Sequence, residues 1–424
     1  MELKLMSLIG LISFIAFAWG ISIGREKFPW RTVLAGLGLQ TLIALIMVRP
    51  SPLREWIYHN AKVAADNLIY FAQQGTQLVF GPLAKREILL DAGFNAANAM
   101  VLGVTICGTI IIVAVLSSLL YHLGVLQRIV RVMAWIMQRI MHTSGSESLC
   151  ASANVFMGQT EAPLVIQPYL KGMTRSELMT MMVGGMATIA GGVFAVYAGM
   201  GIEAGHLLTA SFMAAPTALY ISKILLPETE KSDTADGATR EVKGKTTNSL
   251  DAMCQGAGDG MKLTINVLAM LIGFTAVIAL FNYLLVLPQN WANVSNPVTF
   301  DMILGWLNAP FAWLMGIPWS DCSYIGECLG KRIVFTEFIG YDHLKDAIPQ
   351  NGAPPLVDLD SRSIGIASFA ICGFANFASI AIQIGGIGSL APDRRSDLAK
   401  LGLRAMAGGI LVGYTNACIA GLFL

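Results

Sequence analysis

Apolar runs approaching membrane length alternate with short charged segments along almost the whole chain. About 20 apolar residues cross a bilayer, and the runs predict spans at 3–23, 33–48, 97–123, 179–200, 207–226, 263–287, 364–390 and 401–424. Two stretches break the series without leaving the apolar context. Residues 143–172 hold Asn154-Val155-Phe156-Met157-Gly158-Gln159-Thr160-Glu161-Ala162-Pro163, and residues 318–348 hold Glu327, Lys331, Arg332, Thr336, Glu337 and Asp342. A carboxylate at membrane depth costs about 2.5–3.5 kcal/mol even on a lenient insertion scale. Broken backbone at that depth is tolerated only where protein or a watery cavity satisfies it. Both stretches therefore read as re-entrant hairpins. The tip of the first, between Gly158 and Pro163, reads as a binding site for a polar solute.

Two spans carry polar breaks of their own, Thr188-Ile189-Ala190-Gly191-Gly192 and Gly373-Phe374-Ala375-Asn376. Residues 53–90 are too polar to cross and predict a helix along the outer face. Ile129, Val132, Met133, Ile136, Met137 and Ile140 keep helical spacing opposite Arg128, Arg131 and Arg139, which predicts an amphipathic surface helix. Residues 300–315 repeat that character. Lys and Arg cluster at 25–31, 128–139, 171–175 and 394–400, which puts those segments in the cytoplasm and both termini in the periplasm. Polar, mixed-charge residues 227–249 read as a flexible cytoplasmic linker between two halves.

The halves repeat. Each hairpin carries Thr-Glu (Thr160-Glu161, Thr336-Glu337) and is followed by Thr174-Arg175-Ser176 or Ser361-Arg362-Ser363. Thirteen residues past each of those Arg lie Thr188 and Ala375, inside the two breaks. The charge pattern sets the hairpins on opposite sides, the inverted repeat of many secondary transporters, with the site at the midplane. The expected fold is an all-α polytopic membrane protein. It has eight transmembrane helices, two re-entrant helical hairpins of opposite orientation in an inverted repeat, and interfacial amphipathic helices. Residues 1–124 read as mainly scaffold and trimerisation helices, 125–226 as the first transport repeat, 227–249 as the linker, 250–298 as a scaffold span and 299–424 as the second repeat.

Composition narrows the function. The 424 residues are 55% hydrophobic and 13% charged with net charge +1, which excludes a large soluble domain and a basic field for nucleic acid. The seven Cys are scattered, without the spacing of a metal site. None of the five His adjoins the polar tips and no HExxH occurs, so a polytopic membrane enzyme lacks its catalytic residues. No cofactor is expected.

At the polar motifs the chain resembles the concentrative nucleoside transporter family. Asn154 to Leu164, Phe335-Thr336-Glu337-Phe338 and Cys372-Gly373-Phe374-Ala375-Asn376-Phe377 carry the resemblance. It implies a homotrimer in the bacterial inner membrane, in contact with lipid, importing uridine-like nucleosides by symport with sodium in an elevator-like movement. It further implies that Gln159, Thr160 and Glu161, with Val193 beside them, hold the base. Glu337, Asn376 and Ser379 would hold the ribose, with Phe374 next to the substrate. Asn154, Thr188 and the carbonyls of Met157 and Ile189 would hold sodium. Proton coupling through Glu161 or Glu337 is the alternative, though a proton needs no cage of neutral oxygens. Each residue also has an ordinary reading: Asn154 as a helix cap, Thr188 as a back-bond within its helix, Ser379 as helix-interface glue, Phe374 as packing. Glu147 and Glu327 stay open between support and function.

Overall fold

The computed structural model describes residues 2–92, 101–235, 237, 246–294, 296–349 and 354–424, and among them every regular element is helical. The first four helices are α1 (Glu2–Gly20), α2 (Trp30–Met47), α3 (Pro52–Phe80) and the short α4 (Arg86–Asp91). Then come α5 (Leu102–His122), α6 (Val125–Met141), α7 (Gly145–Ala153), α8 (Ala162–Val165), α9 (Arg175–Ala187), α10 (Gly191–Gly199) and α11 (Ala204–Leu225). The rest of the chain forms α12 (Ser249–Trp291), α13 (Phe300–Leu314), α14 (Trp319–Val334), α15 (Glu337–Lys345), α16 (Ser361–Ile371), α17 (Phe377–Leu390) and α18 (Arg395–Phe423).

Seven of these stretches are long and apolar enough to cross a membrane: α1, α2, α5, α9 with α10, α11, α12, and α18 with the turn before it. The interrupted span expected at 364–390 is two helices of 11 and 14 residues, and the break between them fixes extended backbone at Cys372 and Asn376. An eighth crossing is reached only by counting α13 and α14 together, and these meet at 119°. Residues 97–100 of the third expected span lie outside the described residues, as do 350–353.

The core sits between the two halves. Eighty-nine per cent of the apolar window of α11 is buried, against 6% of that of α12. α9, α11, α16 and α18 pack on one another, with α7 against α9 and α11. α12 pairs along α5 and leaves Ile265, Ile272, Leu280 and Tyr283 exposed, as a helix solvated by hydrocarbon does. Within 1–124 the contacts differ: α1 and α2 pack on α18 and α11, whereas α5 packs on α12. α6 is amphipathic as expected, but its protein-facing stripe is Leu126, Val130, Ala134, Met137 and Met141, whereas Ile129, Val132 and Ile140 are exposed. The apolar arc is wider than the contact it makes, and apolar spacing alone does not say which half of the arc meets protein.

The segment after α11 differs from the free linker expected there. Thr234 is buried, and its carbonyl accepts from Gly145 N at 2.8 Å and its hydroxyl oxygen from Ser146 N at 3.1 Å. These are two of the donors that a helix N-terminus leaves open, so the linker caps α7. Glu177 gathers the same region. Its carboxylate accepts from Ser144 Oγ (2.5 Å), Ser146 Oγ (3.1 Å) and Ser232 Oγ (2.5 Å) on one oxygen and from Thr174 N (2.8 Å) on the other. Thr174 Oγ1 returns the bond by accepting from Glu177 N, a capping box at the head of α9. Beside it Lys223 pairs with Glu147 at 2.8 Å and Glu228 at 3.2 Å, and Glu147 Oε1 accepts from Ser144 N at 2.7 Å. Glu147 is thereby a supporting residue, and buried ions of this kind persist because they are paired. Glu327 pairs with His343 at 3.2 Å in the second half. Linker residues 236 and 238–245 lie outside the described residues.

Candidate binding site

The site is built where helices stop. α7 ends at Asn154, and the chain turns through residues 155–161 before Pro163 opens the short α8. Within that turn Gly158 N donates to Glu161 Oε2 at 3.2 Å, so Glu161 steadies the loop that presents it. α9 ends at Thr188 in extended backbone, and α10 restarts at Gly191. The two breaks touch: Gly191 N donates to Phe156 O at 3.3 Å. In the second half α14 stops at Phe335, α15 starts at Glu337, and α16 stops at Cys372. Gly373 there has φ +131°, which a side chain rarely adopts, and a Cβ would lie 2.8 Å from Ala187 O. The second broken span thus crosses the end of α9 at contact distance.

One run of buried hydrogen bonds joins these ends. Glu337 accepts from Tyr197 Oη at 2.7 Å and from Asn376 Nδ2 at 3.3 Å. Asn376 caps α17, its Oδ1 accepting from Ser379 N at 2.9 Å. Gln159 Nε2 donates to Ser379 Oγ at 3.1 Å, and Gln383 Nε2 donates to Gln159 Oε1 at 3.2 Å. Gln159, Glu337, Asn376 and Ser379 are therefore brought together from both halves of the chain. Thr160 lies against Gly386 of α17. Val193 is buried one turn before Tyr197 on α10, and Phe374 is half-buried two residues before Asn376.

Glu161 stands apart from that run. It opens, with Met157 and Thr160, onto a pocket of about 460 Å³ that Asp259, Lys262 and Asn266 of α12 also line. Asn154 and Thr188 meet at Gly184: a Cβ there would lie 3.1 Å from Asn154 Nδ2, and the Gly184 carbonyl accepts from Thr188 Oγ1 at 3.2 Å. Thr188 does make the back-bond of its ordinary reading, whereas Asn154 stands at the C-terminal end of α7, where its backbone N–H, not its side chain, bonds the last turn. Asn154 Oδ1, however, is buried without a hydrogen-bond partner among the described residues. Ile189 is buried beside Thr188.

Two residues of the site, Tyr197 and Gln383, escape a reading from sequence, and a third, Arg332, stands out there only as a charge within 318–348. Tyr197 is hidden in an apolar run and packs on Tyr341 (ring centroids 4.6 Å apart) while its hydroxyl reaches Glu337. Gln383 follows Ser379 by one turn and Asn376 by two, a face relation that would have exposed it. Arg332 is fully buried and donates to Ala370 O at 2.7 Å and Gly373 O at 3.4 Å, the carbonyls that the break in α16–α17 leaves open.

Membrane-length helices around a buried polar network with two broken spans define a multi-pass membrane protein whose interior polar groups form a candidate solute site. Comparison with known proteins narrows this. The family models for the N-terminus and C-terminus of Na+ dependent nucleoside transporters match residues 9–83 and 206–421, and a nucleoside recognition model matches residues 103–204. The chain is 39% identical to an uncharacterized transporter of Haemophilus influenzae, over 99% of this chain and 98% of that one. It is 35% identical to the nucleoside permease NupC of Helicobacter pylori, again over 99% and 98%. Its fold matches an inward-facing, substrate-bound structure of CNTnw with TM-score 0.91 and 36% identity, covering 99% of this chain and 98% of the other. The chain belongs to the concentrative, Na+ dependent nucleoside transporter family. Its relatives are transporters, not enzymes.

Proposed function

We propose that this protein imports nucleosides across the bacterial inner membrane by symport with sodium. The observation that carries the reading is the run of buried bonds through Gln159, Ser379, Asn376, Glu337 and Tyr197. It supplies amides that match the edge of a base and a carboxylate that matches ribose hydroxyls. In this reading Gln159, Thr160, Glu161 and Val193 hold the base, Glu337, Asn376 and Ser379 hold the ribose, and Phe374 lies against the substrate. Asn154, Thr188 and the carbonyls of Met157 and Ile189 take the sodium ion, and the unpartnered Asn154 Oδ1 supports a neutral oxygen cage over a proton site. The stretches around Gln159 and Glu337 act as re-entrant hairpins of opposite orientation in an inverted repeat. The repeats, with α1 and α2 packed on them, move elevator-fashion against α5 and α12. The exposed apolar face of α12 suits lipid and the contacts of a homotrimer.

Uptake of labelled uridine into proteoliposomes tests the coupling. A sodium gradient alone should drive accumulation. Accumulation driven by a proton gradient in sodium-free buffer would replace the sodium reading with the proton one.

Topology has its own check. Both termini face the periplasm in this proposal and residues 227–249 the cytoplasm. Cys254 lies five residues past that linker and is exposed, whereas the other six cysteines are buried. A membrane-impermeant maleimide should label Cys254 in inside-out vesicles and not in intact cells. Labelling from outside intact cells would invert the orientation.

A further inference from the structure

We infer that Gln383 is a positioning residue that fixes which end of the Gln159 amide faces the substrate; the inference rests on the proposed role of Gln159 as a base contact. Gln383 is fully buried on α17, and a buried amide is costly unless it is hydrogen-bonded. Its Nε2 lies 3.1 Å from Met182 O of α9 and 3.2 Å from Gln159 Oε1. A backbone carbonyl only accepts, so Gln383 turns its NH2 toward Met182. That NH2 also meets Gln159, which must answer with its carbonyl. The NH2 of Gln159 is then left on the other side, where it donates to Ser379 Oγ at 3.1 Å. An amide that is two-fold ambiguous by itself is thus oriented from α9, through Gln383. With one N–H given to Ser379, Gln159 keeps a second N–H and offers the substrate a donor, suited to a ring carbonyl or an unprotonated ring nitrogen of the nucleobase.

Two further observations agree. Gln383 Oε1 has no partner among the described residues, a cost that an apolar side chain at 383 avoids, so the useful end of this amide is its donor end. The space beside both amides is shaped by Gly185, where a Cβ would lie 2.8 Å from Gln383 Nε2 and 3.0 Å from Gln159 Cβ.

The test is a cycle of Gln383→Met, Gln159→Leu and the double variant, read as the KM for uridine uptake in proteoliposomes, with elution profile and thermal unfolding confirming the fold. Gln383→Met should raise KM about tenfold, the size of one well-oriented hydrogen bond, with little change in maximal rate. In the Gln159→Leu background the same change should add nothing, because Gln383 acts only through Gln159. An unchanged KM in Gln383→Met, or two increases that multiply, overturns the inference. An unchanged KM in Gln159→Leu alone instead removes the base contact itself, and the positioning role falls with it. Gly185→Ala displaces both amides without deleting either and should raise KM in the same way. If Gln383→Met does not fold, an unchanged KM in Gly185→Ala overturns the inference.

Discussion

Glu337→Gln is expected to abolish nucleoside uptake in a chain that still folds. The fold is spared because the introduced amide finds partners. Asn376 cannot flip without losing its cap on Ser379 N, so its Nδ2 continues to point at residue 337. The introduced amide answers with its carbonyl and turns its NH2 toward Tyr197, whose hydroxyl rotates from donor to acceptor. What is lost is the charged acceptor. A hydrogen bond to a charged group contributes about 1.5–3 kcal/mol, so two ribose hydroxyls stand to lose about 3–6 kcal/mol together. That is about 10²- to 10⁴-fold in affinity, enough to bring uptake below detection. The same logic makes the unmutated protein reject sugars without hydroxyls, since a site built for a hydroxyl is left with a buried group unpaired. Glu161→Gln should also stop transport, through the turn it holds at Gly158 and the cavity it faces. Uptake assays with a dideoxynucleoside decide the ribose assignment: equal transport of a nucleoside and its dideoxy analogue by the unmutated chain refutes it.

How far the sequence carries can be judged at particular residues. Both broken spans were legible because Gly, Thr and Asn collect where an apolar helix would otherwise continue, and the chain stops at Thr188 and Cys372 as that chemistry requires. The Glu residues stood out because ions are rare in apolar surroundings. Tyr197 and Gln383 did not. Each is a single polar atom group in a helix whose neighbours are apolar, and its importance depends on which face meets the other half of the chain. The docking of Ser232 and Thr234 on Glu177 was equally hidden. A polar, mixed-charge segment reads as solvated, and nothing local in it shows that α7 leaves its first amides open toward it. Long-range pairing decides these cases, and of the three only Gln383 has a local signal, the helix face that it shares with Asn376 and Ser379.

Asn154→Leu should uncouple nucleoside binding from sodium without destabilising the empty protein. Asn154 is 1% exposed, and among the described residues its Nδ2 reaches only Cys150 Sγ at 3.7 Å and its Oδ1 is unpartnered. An unmet buried acceptor costs about 1–3 kcal/mol, and Leu, of similar size, removes that cost along with the acceptor. Thermal unfolding in sodium-free buffer should therefore be unchanged or shifted upward. A ligand that binds only the folded state stabilises it by about 2.7 kcal/mol at 100 times its Kd, and the variant should lose that sodium-dependent shift. Nucleoside affinity should fall as well. Phe156, inside the turn that leads to Gln159, accepts from Gly191 at the break that follows Thr188, so in the proposed assignment ion and base would order the same piece of chain. Linkage then requires each to raise the affinity of the other by one common factor. The energetic stake is large. One cation moving inward gains about 2.3 kcal/mol per 100 mV and about 1.4 kcal/mol per tenfold gradient. Their sum supports roughly several-hundredfold accumulation of a neutral nucleoside at one ion per cycle. An Asn154→Leu variant that keeps both the original nucleoside affinity and the original response to sodium would put the ion elsewhere.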